Sequence, residues 1–238
     1  MSVRSGIAWT MQAPMQAYYG RKVDARVLEH ARAHADVRAY TPEYYDLFRL
    51  VRFVRERKPQ VLWEFGSGWS TCFLGQAVAD NQTGILYSME ADADWCRNTR
   101  SMLSPDVQAW VELRHVVPER VTVGAECASK YPWRPPAMPQ FIYVDGPAGA
   151  GKCPGNADIL EIEEQLEPGC LIVLDSRQKT TEFLRRTLRR KWRSWEEMGP
   201  LGAALGRFRS EMSTNQVLRP LHVLAQGLPI QRYFELER

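Results

Sequence analysis

Five short apolar runs, separated by stretches of helical periodicity, constrain this 238-residue chain more than any other feature. QVLWEF (60–65), GILYSM (84–89), VELRHV (111–116), FIYVD (141–145) and CLIVLD (170–175) have the length of strands. The last two are almost continuously apolar, as expected of strands covered on both faces. Helical spacing fills the gaps at 70–80, 93–103 and 156–167. Ahead of the first strand, Tyr44, Leu47, Phe48, Val51 and Val54 predict a helix with Thr41 as cap and Pro42 in its first position, ending before Pro59. The rhythm predicts an α/β fold, a doubly wound and mostly parallel sheet with right-handed crossovers.

TTEFLRRTLRRKWRSW (180–195) is amphipathic, and the segment after it, ending PLHVLAQGLPIQRYFELER, supplies an antiparallel C-terminal strand pair. Residues 1–40, of mixed polarity, are expected to form an N-terminal flap or helical extension to a single domain spanning 41–238. Hydrophobic residues at 45% and charged residues at 25% leave no compositional case for disorder. A formal charge of +3, carried by 25 Arg against 6 Lys, is too small to argue for nucleic acid as a partner. The five cysteines are widely spaced and lack a C-x-x-C pair, so neither a disulfide framework nor a zinc cluster is expected, and a reducing, cytoplasmic compartment fits. No segment approaches 18 consecutive apolar residues, so no membrane association is expected.

VDGPAGAGKC (144–153) matches the phosphate-loop spelling through Gly146, Gly151 and Lys152 until Cys153 takes the place of the hydroxyl residue. Thiols are poor magnesium ligands, and Pro154 with Gly155 prevents a helix from starting where a phosphate would need its N-terminus. A triphosphate-using ATPase or kinase is therefore the minor alternative. VLWEFGSGWST (61–71) carries more information: Gly66 and Gly68 permit a tight strand-to-helix turn, with Ser70 and Thr71 opening the helix. About twenty residues on, a second strand ends at Glu90, placed to accept hydrogen bonds from both hydroxyls of a ribose.

These residues resemble the class I S-adenosylmethionine-dependent methyltransferases. Glu64, Gly66 and Gly68 match the family's E/D-x-G-x-G motif, Glu90 matches its acidic ribose ligand, and FIYVDGP places Asp145 where an acid faces cofactor and substrate. The resemblance implies a Rossmann-like methyltransferase domain using S-adenosyl-L-methionine, with Glu64 at the cofactor's amino-acid end and Ser70 and Thr71 beside it. It also implies Asp145 and Asp175 as catalytic residues, either as a base or as divalent-metal ligands. The metal version is not favoured, because Ser176 replaces the Asn of the metal-dependent pattern. The expected reaction is O-methylation of a small molecule or a saccharide hydroxyl. A non-catalytic S-adenosylmethionine-binding module is the other alternative. Lesser candidates are the His30/His34 pair, read as a solvated helix face; His115, near the adenine side or else a core histidine; and the arginine-rich run 177–193, which could attract an anionic substrate but reads as the wet side of a helix.

Overall fold

The structure is a computed structural model, and it describes residues 14–37, 39, 42–147, 153, 155–175, 177–198 and 230–238. Helix α1 covers 14–20, and α2 (Ala25–His34) starts where the Asp24 carboxylate accepts the Arg26 and Val27 amides. Helix α3 (Tyr44–Arg57) begins two residues later than the cap reading placed it. It ends where Lys58 turns left-handed ahead of Pro59.

From there strands and helices alternate: β1 (Val61–Phe65), α4 (Trp69–Asn81), β2 (Ile85–Glu90), α5 (Ala93–Met102), a short α6 (Pro105–Gln108) and β3 (Val111–His115). After a hairpin of β4 (Glu119–Val123) and β5 (Glu126–Lys130) come β6 (Phe141–Val144), β7 (Gly155–Asn156), α7 (Ala157–Ile162) and β8 (Leu171–Asp175). Helix α8 (Gln178–Thr187), β9 (Trp192–Met198) and β10 (Ile230–Leu236) complete the described chain.

The main sheet has the order β3-β2-β1-β6-β8-β10-β9, with β3, β2, β1, β6 and β8 mutually parallel and β10 antiparallel to both of its neighbours, β8 and β9. Strand alternation explains why both faces are covered. Trp63 and Phe65 of β1 pack with Ile142, Val144, Ile172 and Leu174 beneath α7 and α8. Leu62 packs with Leu86, Phe141, Leu171 and Val173 against α3 and α4 on the other face. Val27, Leu28 and Ala31 of α2 join Leu47, Phe73 and Met102 in a third apolar cluster, so this part of the 1–40 stretch is core.

Three expectations change. The amphipathic run 180–195 is helical only to Thr187, and its end forms β9. Buried Glu163 decides this, accepting the Arg189 and Arg190 amides and the Trp192 indole N–H at 2.9 Å each. The β4–β5 hairpin, which pairs with β7 in a second sheet, was not read from the sequence; Gly124 turns it at φ +62°. Cys127 and Cys153 form a disulfide with Cα atoms 4.8 Å apart, removing the premise on which a reducing compartment rests. Cys72, Cys96 and Cys170 are buried free thiols. Among the described residues, no helix is long and apolar enough to cross a membrane.

Candidate active site

Strands β1 and β6 are neighbours, but the chain leaves them toward opposite flanks, to β2 and β3 on one side and to β8 on the other. Open α/β sheets bind ligands outside the strand carboxyl ends at such a reversal, because the diverging loops leave a crevice there. Here that crevice is a cavity of about 640 Å³. Gly66, Ser67 and Gly68 after β1, Glu90 closing β2, Asp145 and Gly146 after β6, and Asp175 closing β8 all line it.

The loop after β1 is braced from below. Glu64 is fully buried and accepts the hydroxyls of Ser70, Thr71 and Ser88 at 2.6 Å each. The Thr71 hydroxyl oxygen in turn accepts the Gly68 amide at 2.9 Å. Burial pushes the Glu64 carboxyl up to about 7 despite those donors. Of the residues expected to touch a cofactor, Gly66, Gly68, Ser70, Glu90 and Asp145 line the cavity, whereas Glu64 and Thr71 lie behind its wall.

The glycines have separate jobs. Gly66 sits at φ +87°, and a Cβ there would fall 2.6 Å from the Gly146 nitrogen. A Cβ on Gly146 would fall 2.5 Å from the Gly66 Cα, so the turns leaving β1 and β6 meet backbone to backbone. Gly146 therefore serves this contact, and the phosphate-loop spelling fails structurally. Cys153 is not helical, Gly155 and Asn156 form β7, and the next helix starts only at Ala157. Gly151 and Lys152 lie outside the described residues.

Glu90 accepts the Ser67 amide at 2.7 Å through one oxygen and the Asp92 amide at 2.9 Å through the other. The Trp95 indole donates to the Ser67 carbonyl at 2.7 Å and forms part of the wall beside it. On the opposite flank the Asp145 side chain is 52% exposed, but it opens into the cleft rather than onto the outer surface. Burial by the surrounding atoms and the Asp175 charge push it up to about 7, opposed by Arg177. Arg177 donates to the carbonyls of Asp145 and, at 3.2 Å, of Pro147. The Tyr143 hydroxyl donates to Asp175 at 3.3 Å, and burial with the Asp175 charge pushes its own pKa up, so it remains a donor.

Sequence reasoning missed Glu43, Asp46, Ser67, Trp95, Tyr143 and Arg177, all in the wall. Asp46 left no legible signal, because it shares the buried face of α3 with Arg49. The others had none beyond their proximity to strand ends. His115 is exposed, 3.1 Å from the Ala91 carbonyl and outside the wall, so the core reading of it does not hold. His30 and His34 stack along α2, away from the cavity. Arg185, Arg186 and Arg193 pair with Glu196, Glu126 and Glu235, as a wet structural face would. Among the described lining residues, seven carboxylates face a single guanidinium. Among the described residues, no group of three or more His, Cys, Asp or Glu side chains could hold a metal ion.

The family model of a methyltransferase domain matches residues 63–176, the stretch from β1 to the end of β8 that builds most of this wall. Over those residues the chain carries a methyltransferase domain. The methyltransferase is also similar to solved structures. One, from Klebsiella pneumoniae and assigned as an O-methyltransferase, is 18% identical over 94% of this chain and 97% of its own, with a TM-score of 0.56. The O-methyltransferase TomG from Streptomyces achromogenes, crystallised with S-adenosylmethionine, is 15% identical over 94% of this chain and 96% of its own, also at 0.56. An O-methyltransferase from Bacillus cereus, crystallised with S-adenosylhomocysteine, is 14% identical over 88% and 89%, at 0.51. At these identities the likeness is one of fold. The methyltransferase has no match among curated protein sequences.

Proposed function

We propose that this methyltransferase moves the methyl group of S-adenosylmethionine onto a hydroxyl oxygen of a small molecule or saccharide. The observation that carries the reading is the carboxylate-lined cavity at the sheet reversal, with Glu90 on one flank and Asp145 on the other. Its set of acceptors fits the cofactor. A wall of carboxylates complements a sulfonium, an ammonium and two ribose hydroxyls, whereas a nucleoside triphosphate would need more cations than the single guanidinium among the described lining residues.

When bound, S-adenosylmethionine supplies a methyl carbon activated by positive sulfur, and its transfer to a hydroxyl breaks the C–S bond and frees one proton. Glu90 would accept the ribose hydroxyls, with Ser67 and Trp95 holding the loop in register. Gly66 and Gly68 keep that loop free of side chains, while Glu64 and Thr71 brace it. Asp145 would take the hydroxyl proton, a task suited to a carboxylate whose pKa lies near 7 rather than near 4. Much of the acceleration comes from holding the two partners in line.

Thermal melting tests the cofactor assignment, since a ligand that binds only the folded state raises the midpoint. S-Adenosylmethionine and S-adenosylhomocysteine are expected to stabilise the protein and magnesium-ATP is not. Release of S-adenosylhomocysteine across a panel of hydroxylated acceptors tests the reaction. Stabilisation by ATP alone would overturn the assignment.

A further inference from the structure

One end of the cavity has no part in the reading above. There the amino end of α3 brings Glu43 and Asp46 to Asp175, the carboxylate closing β8. Asp46 is 4% exposed and lines the cavity, and among the described residues neither of its carboxylate oxygens has a hydrogen-bond partner. Buried polar groups are nearly always bonded, so an orphaned pair of acceptors facing a cavity marks the place of a donor.

We propose that Asp46, together with Glu43 and Asp175, recognises a protonated amine on the methyl acceptor, which makes the acceptor an amino alcohol such as an amino sugar. The inference rests on the O-methyltransferase reading and specifies its substrate class. An ammonium brings three donors and no acceptor, the complement of a carboxylate wall. Position separates this amine from the cofactor's ribose: β8 lies three strands from β2, on the order of 14 Å from Glu90.

Electrostatics agree. Burial first, and then the Asp175 charge, push Glu43 up to about 7 and Asp46 well above the usual carboxylate range, and a cation between them relieves both. Arg49 opposes that push on Asp46, but its donors go to Gln231 at 2.7 Å and to the Tyr45 hydroxyl at 3.2 Å. Arg177 donates to two carbonyls and lies 3.7 Å from the Asp145 carboxylate, on the β6 side, with its Nε unpartnered among the described residues. A hydroxylated acid would meet like charges here.

The test uses the whole chain saturated with S-adenosylhomocysteine at pH 7, titrated calorimetrically with glucosamine, N-acetylglucosamine and glucuronate. Glucosamine is expected to bind at least about tenfold more tightly than its N-acetyl form, the span of one charge-assisted hydrogen bond, with glucuronate weakest. Asp46→Asn should remove most of that preference while leaving the Kd for S-adenosylmethionine within about twofold. Glu43→Gln, at a side chain that lines the cavity and caps nothing, should reduce it in part and serves if Asp46→Asn does not fold. Equal or absent binding of the amine, a preference for glucuronate, or an Asp46→Asn protein that loses S-adenosylmethionine but keeps the preference would overturn the proposal. So would binding of magnesium chloride that disappears in Asp46→Asn. Absence of S-adenosylhomocysteine binding in the starting protein would overturn the cofactor reading, and this inference with it.

Discussion

Asp145 combines an opening into the cleft with a carboxyl pushed up to about 7, and a base in that condition works only after losing its proton. The kcat/KM of methyl transfer should therefore fall as pH drops below about 7 and level off above it, since that profile reports the free enzyme's base. Asp145→Asn should cost roughly 100- to 1,000-fold in kcat and remove the acid limb, with the cofactor Kd little changed. A pH-rate series on both proteins checks this, and an unchanged limb in the variant would assign the titration elsewhere. At Gly66, the clash with Gly146 and the positive φ coincide. Gly66→Ala is expected to lose about 1–3 kcal/mol of stability and to weaken cofactor binding, read by urea denaturation and by titration. The motif glycines and Glu90 were legible because a backbone turn imposes a residue type. Asp46 and Tyr143 were not, since their importance comes from neighbours far away in the chain.

At the scale of elements, the inner parallel strands stood out because burial on both faces writes itself as apolar runs, and β1, β2, β6 and β8, with the edge strand β3, lie within a residue or so of the expected boundaries. The end of α8 did not stand out. Periodicity continues through Trp192, but the Glu163 carboxylate captures the amides of Arg189 and Arg190 and the Trp192 indole, and a helix cannot offer all of them to one group. Glu163→Ala orphans these donors and should destabilise the protein by about 3 kcal/mol in urea melts, with the m-value unchanged. A loss below about 0.5 kcal/mol would mean that β9 is held by its ladder with β10 alone. The Cys127–Cys153 bridge was equally invisible, because its partners are 26 residues apart and meet only once the hairpin forms beside β7.

Across the whole molecule, charge is distributed unevenly. The chain is +3 overall, yet the described cavity wall is strongly acidic, its acids gathered from several separated elements. Glu43, Glu64, Asp145 and Asp158 are all pushed up to about 7, chiefly by burial. The folded protein thus keeps protons between about pH 4 and 7 that the unfolded chain has released, so folding binds protons and stability must fall as pH rises through that window. Asp24 and Glu235, held low by Arg26 and by Arg57 with Arg193, act oppositely only in more acidic solution. Thermal melts of cofactor-free protein should show a midpoint that declines from pH 5 to 8, and a flat or rising series would contradict these shifts. Short-range patterns, namely periodicity and turn residues, are properties of neighbours in the chain, and from them the amino-acid order alone determined the α/β fold, the loop after β1 and the acids at the strand ends. Which of those acids face one another, which brace the loop and which stand without a partner depends on distances between remote segments, and only the tertiary structure decided that.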